Sequence, residues 1–273
     1  MSTIDVIELA TILRDVAKAE ILPRFRRLDP DTVRTKSNAT DLVTEADTEA
    51  ERVIKLEVAK RWPDVLVVGE ESVAADPELL HRLAGADVAL TVDPVDGTAN
   101  FAAGLPLFAV MAAVVVRSEV VAGIIYDPMG DDWIMAERGG GAWLRRPDGS
   151  HHRLQVADPL PLGEMVGTVS MGFLDKATKP KVLANLAKIA IPANYRVAGH
   201  DYRSFASGHT QFATFNKLMP WDHLPGTLIA AEAGGHVAKF DGSPYRVGEL
   251  SGGLLLAPDK DTWDLLRREV FTV

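Results

Sequence analysis

Six consecutive residues, Asp93-Pro94-Val95-Asp96-Gly97-Thr98, set two carboxylates and a hydroxyl on a turn directly after an apolar run, Val88 to Val92. The run is rich in β-branched residues and reads as a buried strand. Such a strand delivers Asp93 to its carboxyl end, where open α/β sheets place their sites. Pro94, with no N–H to donate, is expected to stop sheet pairing. Gly97 allows a ligand close to the backbone. Thr98-Ala99-Asn100-Phe101 is expected to start a helix whose first N–H groups face the same spot, a ready place for an anion. Two acids beside an anion-binding turn suggest a metal ion holding a phosphate.

Three further acidic positions lie at the expected ends of elements: Asp47, Glu70-Glu71 and Asp222. Each also has an ordinary structural reading. Thr44-x-x-Asp47 matches a capping box, which does not exclude a second role for Asp47. Taken alone, Glu70 and Glu71 read as a solvated turn, and Asp222 as a helix N-cap. If the acids converge, charge decides: two carboxylates about 5 Å apart repel by roughly 3 kcal/mol at an effective dielectric of 20. Four together need protons or cations. An all-oxygen donor set without cysteine selects a hard cation, Mg²⁺, with Mn²⁺ as a substitute. Two such ions would polarise a phosphate, activate water and stabilise a leaving oxygen. An aspartyl-nucleophile phosphatase of the haloacid dehalogenase type needs acids two apart, whereas Asp93 and Asp96 are three apart and in mid-chain. An EF-hand loop fails because Pro94 and Gly97 fall at the wrong offsets.

The elements that must position these residues follow from patterning. Helical spacing runs from Ile4 to Phe25, closing at Pro23, and again from Thr44 to Trp62. Val65 to Val68 is a strand, and Pro77 to Leu83 a short helix. Phe108–Val116 and Val120–Tyr126 read as a hairpin, and Trp133–Glu137 with Ala142–Arg145 as strands flanking Gly139-Gly140-Gly141. Lys36 to Leu42 is polar and turn-rich. The polar stretch 146–152 suggests a boundary between an N-terminal α/β lobe, 1–148, carrying the metal-binding motifs and a C-terminal lobe, 149–273, completing the site with Asp222. In that second lobe, strands are expected at 165–169, 211–215 and 254–257, and helices at 179–189, 201–207, 222–233 and 262–270. Hairpins mixed with helices argue for sheets layered with helices rather than a strict βαβ repeat.

The 273 residues are 47% hydrophobic and 25% charged, a globular profile, and the formal net charge of −9 disfavours a nucleic-acid surface. No cysteine is present, which excludes disulfides and thiolate metal sites. Residues 1–20 are too charged for a signal peptide or a membrane span, and the longest apolar run, Leu107 to Val116, is too short to cross a bilayer. A cytoplasmic enzyme with no membrane partner is the expectation.

Taken together, the motifs resemble the inositol monophosphatase family, Mg²⁺-dependent sugar-phosphate phosphatases of the lithium-sensitive type. The pieces are Lys36-Ser37, Asp41 to Asp47, Gly69-Glu70-Glu71-Ser72, Asp93 to Phe101, Trp221-Asp222 and the helix ending at Gly234-Gly235, in family order over nearly the whole chain. The resemblance implies a layered α/β (α+β) fold, the αβαβα sandwich of the inositol monophosphatase and fructose-1,6-bisphosphatase type, and a homodimer. It implies that Glu70, Asp93 and the Val95 carbonyl hold one Mg²⁺, that Asp93, Asp96 and Asp222 hold a second, and that Glu70 reaches a third through water. Thr98 and Asp47 would orient and deprotonate the attacking water, and the backbone of Val95, Asp96, Gly97 and Thr98 would receive the phosphate. Water would attack directly, with no phospho-enzyme.

This chain departs from the family where the alcohol binds. Members that use inositol carry an acid seven residues before the Trp-Asp aspartate, and here that residue is Phe215. Ahead of Asp201 the run is Val197-Ala198-Gly199-His200 rather than a glycine followed by small residues. Gly199, His200 and Phe215 are therefore the candidate alcohol pocket. His200 and Arg203 either read another polar or anionic group or lie on the surface. Trp221 reads as packing. The expected activity is hydrolysis of a small phosphate monoester resembling inositol 1-phosphate, with histidinol phosphate, a sugar bisphosphate or a nucleotide 3′-phosphate as alternatives. A protein-binding regulatory role with residual phosphatase activity is the other class, and direct nucleic-acid contact is not expected.

Overall fold

A computed structural model describes residues 4–28, 34–35 and 42–272. The Lys36-Ser37 and Asp41 pieces of the family pattern lie outside the described residues.

Helix α1 (Val6–Val16) starts at Asp5, whose carboxylate accepts the N–H groups of Ile7 and Glu8. It continues through wider and tighter turns to Arg24. Strands β1 (Arg34–Thr35) and β2 (Leu42–Val43) form a small antiparallel pair. Helix α2 (Glu45–Arg61) opens with the expected capping box. Strand β3 (Leu66–Gly69) leads straight into α3 (Glu70–Ala75), so Glu70 and Glu71 begin a helix instead of a solvated turn. After α4 (Glu78–Gly85), β4 (Val88–Asp96) and α5 (Thr98–Ala102) carry the acidic turn.

Pro94 does not end β4. Asp93 pairs with Met111, the register then shifts, and pairing resumes between Asp96 and Ala109. The missing N–H is absorbed as a bulge, which re-aims the side chains around it. Strands β5 (Ala109–Val116), β6 (Glu119–Asp127), β7 (Asp132–Glu137), β8 (Ala142–Arg145) and β9 (His151–Arg153) complete a sheet ordered β3 to β9. The last hairpin, β8–β9, spans the position 148/149, and this sheet runs on to Arg153.

The second sheet has the order β11-β10-β12-β14-β13, from β10 (Val166–Val169), β11 (Ile191–Ala193), β12 (Phe212–Phe215), β13 (His236–Lys239) and β14 (Leu254–Ala257). Its strands β11, β10 and β12 are parallel. Helices α6 (Lys179–Asn185) and α9 (Lys260–Glu269) lie on one face of it, sharing a core with Phe212, Leu255 and Ala257. Its other face, with Ala213, Phe215, Leu254 and Leu256, packs on α7 (Ala198–Ala206) and α8 (Pro220–Glu232). Those helices bury their far side against Ala109, Met111, Ile125 and Ile134 of the first sheet. The opposite face of that sheet is covered by α1 and α2. The layers therefore run helix, sheet, helix, sheet, helix, the expected αβαβα sandwich, because each sheet has two apolar faces to bury. Among the described residues, no helix is long and apolar enough to cross a membrane.

Candidate active site

The capping-box and catalytic readings of Asp47 turn out to be compatible. Asp47 Oδ2 accepts the N–H of Thr44 at 2.8 Å and its hydroxyl at 2.5 Å. Oδ1 lies 3.0 Å from Thr98 Oγ1, which is also 3.0 Å from the Val95 carbonyl oxygen. One carboxylate thus starts α2 and orients the hydroxyl that starts α5. Gly97 between them has φ +88°, and a Cβ there would press on the Leu107 carbonyl and Val197.

Glu70, Asp93, Asp96 and Asp222 line a single cavity of about 350 Å³, together with Val95, Gly97 and Thr98. Asp93 Oδ1 accepts the N–H of Val95 at 2.9 Å, which folds the acidic turn back on itself. Asp222 is the third residue of α8, after Pro220 and Trp221, so it does not cap that helix. Trp221 is buried in a core cluster and serves as packing. Asp96 accepts the N–H groups of Ala198 at 3.2 Å and Gly199 at 2.5 Å, the first turn of α7.

Burial and mutual repulsion govern the acids. Burial, then the charges of Glu70, Asp222 and Asp96, hold the Asp93 carboxyl well above its usual range. Asp222 is raised in the same way by burial, Asp96 and Glu70, and shares a hydrogen bond with Asp93. Burial pushes Asp96 up to about 7 against the pull of the two α7 N–H groups. Among the described residues, no three His, Asp or Glu side chains are closed up tightly enough to hold a metal ion as they stand. The four acids form an open, oxygen-only wall instead. That donor set fits a hard cation that keeps water ligands and takes phosphate oxygens.

The proposed alcohol pocket divides. Phe215 lines the acid cavity, stacked on Tyr202 with centroids 4.7 Å apart and against His223 at 4.8 Å. Gly199 is buried against Ala109 and Ile125, and its role is to bring its N–H to Asp96. His200 does not reach the acids. It lines a second cavity with Leu107, Tyr195 and His209, and one ring nitrogen lies 3.2 Å from the Phe108 carbonyl. Arg203 is ion-paired with the buried Asp132, so neither His200 nor Arg203 is a plain surface residue.

Two acids missed by sequence reasoning support or line the site. Glu51, only 2% exposed, accepts the N–H groups of Glu71 at 2.7 Å and Ser72 at 2.9 Å and the Ser72 hydroxyl. It thereby holds the start of α3 and so Glu70. Gly69 is needed there because a Cβ would collide with the Glu51 carboxylate. The available signal was Asp47 and Glu51 four apart on one face of α2. Asp201, 6% exposed, lines the acid cavity, and burial with the Asp96 charge raises its pKa. The family pattern marks it only as the position after 197–200 and gave it no place in the site.

The family profile described as the inositol monophosphatase family matches residues 5–270, and the chain belongs to that family. It is accordingly a phosphoric monoester hydrolase, and members of the family use metal ions. A fructose-1,6-bisphosphatase/inositol-1-monophosphatase of Thermotoga maritima is 31% identical over 219 residues, covering 78% of this chain and 77% of that one. A protein of Haemophilus influenzae named Nus factor SuhB is 31% identical over 239 residues, 86% of this chain and 84% of that one. Among solved structures, a Thermotoga maritima IMPase superposes with a TM-score of 0.81 at 26% identity, covering 98% of this chain and 96% of the other.

Proposed function

We propose that the chain is a Mg²⁺-dependent phosphate monoesterase acting on a small phosphorylated polyol or alcohol, with Asp47 and Thr98 handling the proton of the attacking water. The observation that carries this reading is the 3.0 Å approach of Thr98 Oγ1 to Asp47 Oδ1 beside a cavity lined by Glu70, Asp93, Asp96 and Asp222. Glu70, Asp93 and the Val95 carbonyl would hold one Mg²⁺, Asp93, Asp96 and Asp222 a second, and Glu70 a third through water, with Mn²⁺ as a substitute. When bound, such cations neutralise the acids and draw charge from the phosphate oxygens.

The chain's own residues do the rest. Thr44 holds one oxygen of Asp47, which leaves the other for Thr98. Thr98, donating its proton to Asp47, keeps a lone pair to accept a hydrogen bond from water. That water loses a proton toward this pair as its oxygen bonds to phosphorus. The bond from phosphorus to the alcohol oxygen breaks, and the alcohol takes up a proton. The N–H groups of Gly97 and Thr98, at the start of α5, receive the phosphate, alongside Val95 and Asp96. A cytoplasmic homodimer belongs to the same proposal, supported by the family membership and the lack of cysteine.

The test is phosphate release from a panel of monoesters with Mg²⁺ and after chelation. Release that depends on the cation is expected. A folded protein that hydrolyses no ester with Mg²⁺ or Mn²⁺ overturns the proposal.

A further inference from the structure

The acid cavity has a second wall of different chemistry. It comes from the carboxyl ends of three neighbouring parallel strands, β11, β10 and β12. Their following loops contribute Asn194 and Arg196, Ser170 and Gly172, and Lys217, with Phe215 as the last residue of β12. The loops are tied together, since Ser170 donates its N–H to Thr214 and accepts from Asn216 Nδ2 at 3.1 Å each. Among the described residues of the lining, every acid, Glu70, Asp93, Asp96, Asp201 and Asp222, comes from other elements, and both cations, Arg196 and Lys217, come from this wall.

The hydrogen-bond inventory of this wall is lopsided. Arg and Lys side chains only donate. Phe215 offers a ring packed between Tyr202 and His223. His223 directs Nε2 at the Lys217 carbonyl, 2.7 Å away, and Nδ1 at the Tyr202 hydroxyl. Asn194 Oδ1 is engaged by the N–H of Arg196 at 2.9 Å. Ser170, on the same wall, has a hydroxyl that can donate or accept. A neutral polyol needs acceptors for its hydroxyl protons, and the wall's cations supply only donors. A carboxylate or phosphate, which only accepts, matches the wall.

Arg196 is the sharper of the two cations. Its backbone sits at φ +59°, held by the turn to Asn194, a conformation that non-glycine residues seldom adopt. Arg196 is an exposed residue and lines the cavity. Lys217 has a second use, because its charge also bears on Asp222.

Resting on the phosphatase reading above, we propose that the substrate is a phosphate monoester with a second anionic group, carboxylate or phosphate, remote from the ester that is cleaved. Arg196 receives that group and Lys217 assists. A guanidinium grips such anions in a bidentate fork, which an ammonium cannot reproduce.

The test compares kcat/KM for glycerol 1-phosphate, 3-phosphoglycerate and propane-1,3-diol bisphosphate with Mg²⁺ and the full chain. At least one anionic ester should exceed the neutral one by about tenfold or more. The better of the two names the anion. Arg196→Gln should shrink that ratio by about tenfold, and so should Arg196→Gly, which keeps the φ angle without strain. Arg196→Lys should recover only part of it, and raising salt should shrink the ratio in the unmodified protein. Hydrolysis of glycerol 1-phosphate with no anionic advantage overturns this proposal and leaves the phosphatase reading standing. Equal loss on all three esters in both variants also overturns it. No hydrolysis of any ester by folded protein overturns both readings.

Discussion

The acid wall and the cation wall of the cavity differ in how the chain assembles them. Asp93, Asp96, Gly97 and Thr98 fall within six residues, and a strand end, a proline bulge and a left-handed glycine arrange them locally. Arg196, Phe215 and Lys217 meet only because β11, β10 and β12 are parallel neighbours. In the proposed reading, the first wall handles the phosphate that every substrate shares, and the second faces the part of the substrate that varies. Loops after strands are free to change without disturbing the sheet. On that proposal the chemistry is written in a motif, and the choice of substrate in a packing arrangement.

The largest effect should come from stripping the acid wall of its cation. Exhaustive chelation should abolish turnover, and returning Mg²⁺ in the millimolar range, roughly, should restore it. Full turnover in chelator would break the comparison at its stronger end. Next, Thr98→Ala should lower kcat by about 10²–10⁴-fold with the fold retained. Asp47→Asn should act on the same step, so the double variant should lose far less than the product of the single losses. If the effects multiply, the two residues do not work as a unit. An Asp47 that only capped α2 would show normal turnover and about 1 kcal/mol of lost stability.

A smaller effect tests the second wall. Inositol 1-phosphate should be a poorer substrate than a simple primary-alcohol phosphate. A hydroxyl set against Phe215 goes unpaired at about 1–3 kcal/mol each, roughly ten- to a hundredfold in kcat/KM. Phe215→Glu should move the preference toward inositol phosphate. The packing against Tyr202 and His223 also predicts a loss of stability in that variant. A tenfold preference for inositol phosphate in the unmodified protein would show that another residue reads the ring.

The smallest effect is on stability and pH. Without cations, Asp96 keeps its proton to about 7 in the folded state, while an unfolded aspartate releases it near 3.9. The unfolded chain therefore loses protons first, and stability falls as pH rises between those values. Asp93 and Asp222, also raised, act in the same direction. His223, held down to about 4 by burial, acts oppositely, adding stability as pH rises from about 4 to 6.5. Added Mg²⁺ competes with protons for the acids, so the gain in Tm on adding it should grow from about pH 5 to pH 8, at about 2–4 °C for each kcal/mol. Thermal melts with Mg²⁺ and with chelator measure this. A gain independent of pH would mean that the cation binds elsewhere.

Residues close in sequence explain what was legible beforehand. The capping box at Thr44 and Asp47, the β5–β6 hairpin, the acidic turn and the glycine stop after α8 depend on neighbours a few positions away, so patterning and backbone chemistry determine them. The strands that escaped notice, β1, β2, β9, β11 and β13, are all edge strands of two to four residues, with too little alternation to detect. Pro94 misled because sheet pairing can skip a residue and resume.

The sequence by itself determined which groups could do chemistry: two acids and a hydroxyl on one turn, with three more acidic positions at element ends. Only the tertiary structure decided which of them share a cavity and what holds them there. Glu51 clasps α3 from another helix, and the α7 N–H groups reach Asp96 across about a hundred residues of chain. His200 and Asp201 make the point at its sharpest. They are adjacent in sequence, yet one lines the second cavity and the other the acid cavity. Successive helix positions point about 100° apart. The seating of α7 between two sheets, and no local property of either residue, determines which of them meets the acids.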